Sequence, residues 1–219
     1  MFFGILTIAT FMGNNHKLPS GRLISSSGNG PKLLLSSGLL GTMPPFLYRD
    51  LRNILDENFF VVTYNDFKPV NKDSIKELYD YFNNEKFGLL THSSFSPEIL
   101  DKAYLNYAVL CDPIVIPDFR RGKLMGRRMN AEIPIVSIKA EYLYNSNKQL
   151  PHYQDPEIIG DIKEIIYSGV GHADLLNNLW ADLAKFSSLW LGTDSKLKRD
   201  EYRKFIAQEC IDLEPFYKS

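Results

Sequence analysis

Short apolar runs alternate with amphipathic stretches along most of this 219-residue chain. Lys32-Leu33-Leu34-Leu35 and the segments 59–64 and 87–92 are continuous apolar or β-branched runs bounded by turn residues. That pattern predicts strands buried on both faces. Further strands are predicted near 21–26, 107–110, 133–139 and 162–167. Between them, Ile75, Leu78, Tyr79 and Phe82 recur at helical spacing behind a cap at Asp73 or Ser74. Other helices are predicted near 47–58, 176–191 and 196–211. A short one starts at Ser96-Pro97-Glu98, with serine as N-cap and proline at the first helical position. Residues 1–13 read as a first strand, followed by a turn at Gly13-Asn14-Asn15, and the segment 142–158 reads as irregular. Strands alternating with helices predict an α/β fold, with a mostly parallel sheet covered by helices on both faces. The length predicts a single domain over 1–219.

Charge and composition narrow the function. A formal net charge of −1 offers no general attraction to nucleic acid, so no nucleic-acid partner is expected. The basic residues Arg120, Arg121, Lys123, Arg127 and Arg128 read as a solvated loop. The apolar start has no basic flank or small-residue cleavage site and is too short to span a bilayer as a helix. It is the one segment that would supply membrane contact, which is not expected. Cys111 and Cys210 do not make a disulfide framework; free thiols in a reducing, cytoplasmic setting are expected. There is no Cys/His cluster with metal-ligand spacing and no phosphate-binding glycine loop, so neither metal nor cofactor is expected. His16 and His152 read as surface residues. The sequence does not specify an oligomeric state.

The chemistry concentrates in GLLTHSSFSPE, residues 88–98. A strand ends at His92-Ser93 and a helix is predicted within a few residues. A serine at such a turn projects above the C-terminal edge of the sheet, where ligands of open α/β sheets bind. The usual pattern, G-x-S-x-G, uses glycines because strand and helix crowd a strained nucleophile. Here Thr91 and Phe95 take the glycine positions. Upstream, a strand ends in Ser36-Ser37-Gly38-Leu39-Leu40-Gly41. This turn can offer a backbone N–H, at Leu39 or Leu40, to an oxyanion, with the N–H of Ser94 as second donor. Downstream, Gly169-Val170-Gly171-His172 follows the last predicted strand, so His172 can reach the serine as general base. Two acids can orient that histidine: Asp112, at the end of the strand after the serine, and Glu141, at the end of the 133–139 strand. Asp174 is too near His172 in sequence to be the first choice.

These motifs, in this order, resemble the α/β hydrolases, and most closely their chlorophyllase and lipase-like branch. SSGLLG resembles the H-G-x-x-G oxyanion turn, with Ser37 replacing the histidine. THSSF resembles G-H-S-x-G, LCDP resembles the L-D-P that carries the acid, and GVGHADLLNNLW resembles the G-H-x-D-x-L-D segment. The resemblance runs from about Gly21 to the C-terminus. It implies an α/β-hydrolase fold with a minimal cap and a Ser–Asp–His esterase acting on a small-molecule or lipid ester. The loops 119–132 and 142–158 would cover the pocket, with Met125, Met129, Tyr142, Leu143 and Tyr144 as candidate lining. The competing expectation is a hydrolase-fold protein without catalysis, used for binding or as a structural part.

Overall fold

The computed structural model describes residues 13–114, 128–147, 157–187 and 192–215. The predicted first strand at 1–13 lies almost wholly outside them, as do Met125 and most of both covering loops. Among the described residues, ten strands form: β1 (Asn14–Lys17), β2 (Leu23–Ser27), β3 (Lys32–Ser36), β4 (Phe60–Tyr64), β5 (Phe87–Ser94), β6 (Leu105–Ile114), β7 (Arg128–Asn130), β8 (Ile135–Ala140), β9 (Glu157–Ile159) and β10 (Ile162–Tyr167). Six helices accompany them: α1 (Gly38–Gly41), α2 (Arg49–Leu55), α3 (Lys72–Tyr81), α4 (Glu141–Asn147), α5 (Asn178–Ser187) and α6 (Lys196–Leu213).

Eight strands form one sheet in the order β1-β2-β4-β3-β5-β6-β8-β10, while β7 and β9 pair separately. From β4 to β10 all pairs are parallel; β1 and β2 are antiparallel additions at one edge. The chain leaves β3 to one side, forms β4, then crosses back to lay β5 on the other side of β3. That reversal makes a topological switch point between β3 and β5, the place where open α/β sheets bind ligands.

Side-chain alternation explains the layers. Leu33 and Leu35 point to one face and Leu34 to the other, as a period of two requires. On the first face Leu33, Leu35, Val61, Leu90, Val109 and Ile138 pack with Leu51 and Leu55 of α2 and with Tyr202, Ile206 and Cys210 of α6. On the second, Leu34, Val62, Leu89 and Leu110 pack with Ile75 and Leu78 of α3. Each such side chain contributes about 1.5–3 kcal/mol when taken fully from water. α3 begins at Asn71, whose side chain accepts the Ser74 N–H in a capping box. No helix among the described residues is long and apolar enough to cross a membrane.

Several elements differ from expectation. The predicted turn at Gly13-Asn14-Asn15 runs into strand β1, whose polar residues suit an exposed edge and whose His16 reaches Ser26 Oγ at 3.1 Å. The start of the segment read as irregular is helix α4: Leu143 is 2% exposed, and the Tyr142 N–H bonds to Val170 O at 3.1 Å. Tertiary anchoring there outweighs weak propensity, and Leu143 packs inward rather than lining an open pocket. The helix expected after Ser96 is one 3-10 turn, Pro97–Ile99. Residues 95–104 alone link β5 to β6, less than the dozen or more that a crossover with a full helix takes.

Candidate active site

β5 and β6 lie side by side with His92 opposite Cys111; the next paired residues are Ser94 and Ile114. Between these pairs the ladder breaks. Ser93 stands alone on β5, and Asp112 and Pro113 stand on β6. Both Ser93 and Asp112 have left-handed backbone, with φ 64° and 47°, a conformation that costs a side-chain-bearing residue of order 1–3 kcal/mol. The two kinks turn both side chains out of the strand alternation at the same edge of the sheet.

Asp112 is fully enclosed. Its Oδ1 accepts the Ala140 N–H at 2.7 Å, and its Oδ2 lies 3.1 Å from His172 Nδ1. A carboxylate facing Nδ1 keeps the ring proton on that nitrogen and leaves Nε2 with its lone pair. Glu141, the other candidate acid, is elsewhere: its Oε2 accepts the Gly169 N–H at 2.7 Å and so braces the loop three residues before His172.

The His172 loop is held from below. His172 opens a 3-10 turn, His172–Leu175, and the Asp174 carboxylate accepts the N–H groups of Gly171 (2.7 Å) and Thr193 (2.9 Å). Arg199 of α6, 0% exposed, donates to the same carboxylate at 2.9 Å, and Arg203 donates to Leu176 O. Asp174 is thus an anchor for the loop.

The upstream turn is also built to a fixed shape. Ser37 Oγ donates to Met43 O at 2.7 Å, closing the turn where the resembling family has histidine. Gly41 has φ 88°, and a Cβ there would meet Val70 at 2.5 Å. Leu39 is the second residue of α1, where backbone N–H groups have no carbonyl of their own helix to bond. Ser94, the last residue of β5, is 3% exposed, and its Oγ has no hydrogen-bond partner among the described residues. Phe95 turns away from the site and packs in the core on the α3 face, 4% exposed.

Two residues of the site have no role assigned from sequence, although His92 matches the histidine of G-H-S-x-G. His92, 3% exposed, bonds Tyr48 Oη through Nδ1 at 2.7 Å and His172 O through Nε2 at 3.0 Å. A polar residue within the buried run 87–92 was the available signal. Tyr48, in the 3-10 turn Pro45–Tyr48, carried none. Burial, with the neighbouring His172, holds His92 well below the usual histidine range, so it is neutral. Burial pushes the Tyr48 phenol up, and burial with the Asp112 charge pushes the Cys111 thiol well up, which leaves that sulfur an inert thiol.

His92, Asp112 and His172 offer ligand atoms within 4.8 Å of one another, a grouping that could hold a metal ion. Both nitrogens of His92 and both oxygens of Asp112 are already engaged in the bonds above, so a cation would have to displace them. Among the described residues no hydrogen bond joins Ser93 Oγ to His172; such contacts often tighten only with substrate bound. The free lone pair of His172 Nε2 and the strained backbone of Ser93, itself 8% exposed, make proton transfer from Ser93 the chemistry this arrangement best accommodates.

No family model matches the sequence, and no curated protein matches it. Solved structures do resemble the chain. A proline iminopeptidase-related protein from Thermus thermophilus superposes with a TM-score of 0.57 at 14% identity, covering 93% of this chain and 100% of that one. A sugar hydrolase from Lactococcus lactis gives 0.57 at 11% identity, over 94% and 98%. An alpha/beta fold family hydrolase from Bacillus anthracis gives 0.50 at 10% identity, over 90% and 98%. At such identities the likeness is one of fold, and it joins the mostly parallel eight-stranded sheet and the kinked β5 edge in one conclusion. The chain has the α/β-hydrolase fold.

Proposed function

We propose that the chain is a serine hydrolase acting on carboxylic esters through an acyl-enzyme. The observation that carries this reading is Ser93, held at φ 64° on the sheet edge beside the Asp112–His172 pair. Ser93 Oγ attacks the ester carbonyl carbon as His172 Nε2 takes its proton. The N–H groups of Leu39 and Ser94 bond the oxyanion. The tetrahedral species collapses, the C–O bond to the alcohol breaks, and His172 protonates the departing alkoxide. Water then adds by the same route and releases the acid, restoring Ser93. Asp112 orients the imidazole and stabilises its charged form.

The solved relatives' names span more than one substrate class, so the choice of an ester rests on the chain itself. Exposed apolar side chains support an ester with an apolar acyl part. Phe46 (40% exposed) follows the α1 turn, and Leu179, Trp180 and Leu183 of α5 follow the His172 turn; the Phe46 and Trp180 rings lie 6.4 Å apart. They lie on the segments that follow the Leu39 and His172 turns, in keeping with the lipase-like resemblance.

A second reading, a hydrolase fold without catalysis, is favoured by the absence of a Ser93–His172 bond among the described residues. Labelling with a fluorophosphonate probe separates the two. Covalent labelling of the parent that is lost in both Ser93→Ala and His172→Ala supports the hydrolase. A folded parent that remains unlabelled supports the second reading.

A further inference from the structure

The hydrogen bonds beneath Ser93 have a fixed direction. The Gly38 N–H donates to Tyr48 Oη at 2.9 Å. A phenol that accepts there keeps its own proton for another neighbour. The near acceptor is His92 Nδ1, 2.7 Å away; Met43 Sδ, at 3.9 Å, is more distant and weaker. His92 must then carry its proton on Nε2, which lies 3.0 Å from His172 O, a carbonyl that can only accept. The chain of bonds therefore runs Gly38 N–H to Tyr48 O–H to His92 to His172 C=O. It starts at the residue before Leu39 and ends on the backbone of the histidine paired with Asp112. Tyr48 is 0% and His92 3% exposed, so a lost link leaves a polar atom unpaired away from water. The His92 and His172 rings also lie against each other, with centroids 4.4 Å apart and planes tilted by 33°.

We propose that Tyr48 and His92 are positioning residues, a relay that fixes His172 against the oxyanion turn at Leu39. This rests on the reading of Ser93 and His172 as nucleophile and base. Among the described residues, neither side chain hydrogen-bonds to a reacting atom. Each acts through the distance between two loops that must both meet one tetrahedral centre, where an error near 1 Å costs on the order of 100-fold in rate.

The test uses the full chain, p-nitrophenyl butyrate hydrolysis and fluorophosphonate labelling, with unfolding midpoints measured alongside. Tyr48→Phe removes one oxygen and keeps the ring. It is expected to lower kcat and the labelling rate by about 10- to 100-fold, with KM within about threefold. His92→Gln keeps a donor that can reach His172 O but cannot accept from Tyr48, whereas His92→Asn keeps the acceptor and loses the reach. Gln is expected to retain more activity than Asn. Tyr48→Phe added to His92→Gln is expected to cost less than the sum of the two, because their shared bond is already gone and only the Gly38 N–H loses a further partner.

Nitrogen NMR of His92 in the parent is expected to show the neutral Nε2–H tautomer. An active parent with a folded Tyr48→Phe variant of unchanged kcat overturns the relay, as does an Nδ1–H tautomer at His92 or full additivity of the double variant. A folded parent that neither labels nor hydrolyses overturns the reading of the site, and the positioning role with it.

Discussion

Ser93 and Asp112 sit in left-handed backbone on neighbouring strands, and this shared strain is what the proposed function rests on in choosing between the two candidate acids. From sequence, Asp112 is the first choice of acid, through the LCDP match, and Glu141 the alternative: each ends a predicted strand between the serine and the histidine. What separates them is a kink of the β6 backbone, a tertiary feature with no one-residue mark in the chain. The expected consequence is a large split between two conservative variants. Asp112→Asn should lower kcat by roughly 10³–10⁴-fold, because an amide facing Nδ1 favours the wrong tautomer of His172. Glu141→Gln, which can still accept the Gly169 N–H, should cost less than about tenfold; steady-state rates on p-nitrophenyl butyrate check both. Phe95 was legible as a departure from the elbow pattern, but its direction was not. Because its ring fills the core on the α3 face, Phe95→Ala should destabilise the fold by about 3–5 kcal/mol while the folded fraction still labels. Unchanged stability to denaturant would contradict that placement.

The elements that carry the site were mostly visible as periodicity: β3, β4, β5 and α3 fall where apolar runs and helical spacing put them. What periodicity could not show is which elements brace one another. Arg199 and Arg203 in α6 are residue types usually read as surface, yet both are 0% exposed and hold the His172 turn from beneath. The 3-10 turn Pro97–Ile99 in place of a helix likewise follows from the short link between β5 and β6. It also accounts for the tolerance of Phe95 where other elbows need glycine: no full helix crowds back against Ser93. The brace gives a prediction at this scale. Breaking a buried ion pair from one side strands the other charge and costs about 3–5 kcal/mol. Arg199→Met or Asp174→Asn should each lower stability by that order, and the double variant should lose less than the sum of the two. Chemical denaturation of the three variants checks this, and simple additivity would show that the contact between Arg199 and Asp174 carries no coupling.

For the whole molecule, the site and the stability of the fold meet at His92, because it lies in the middle of the sheet and under the reacting edge. Its folded-state affinity for protons is depressed by burial first and by His172 second. In the unfolded chain the same ring titrates near an ordinary histidine value of about 6.5. Between those two values the unfolded chain binds the proton and the folded one does not, so stability rises with pH. The contribution is therefore complete above about pH 6.5 and is lost as the pH falls below it, with a slope of up to about 1.4 kcal/mol per pH unit. Asp66 acts in a different window. Hydrogen bonding to Arg22 and the guanidinium charge outweigh its burial and hold its carboxyl below the usual range, so its contribution persists until the pH drops under about 4. Urea midpoints measured from pH 8 down to pH 5 should thus hold nearly level and then decline through the histidine window. In His92→Gln, which has no group to titrate there, the decline between pH 6.5 and 5 should flatten, whatever the variant's stability at pH 8. A parent and variant that fall in parallel over that window would mean that His92 takes up its proton in the folded chain as it does in the unfolded one. The bonds from Gly38 to His172 would then hold only above about pH 6.5, because a doubly protonated ring has no lone pair to offer Tyr48.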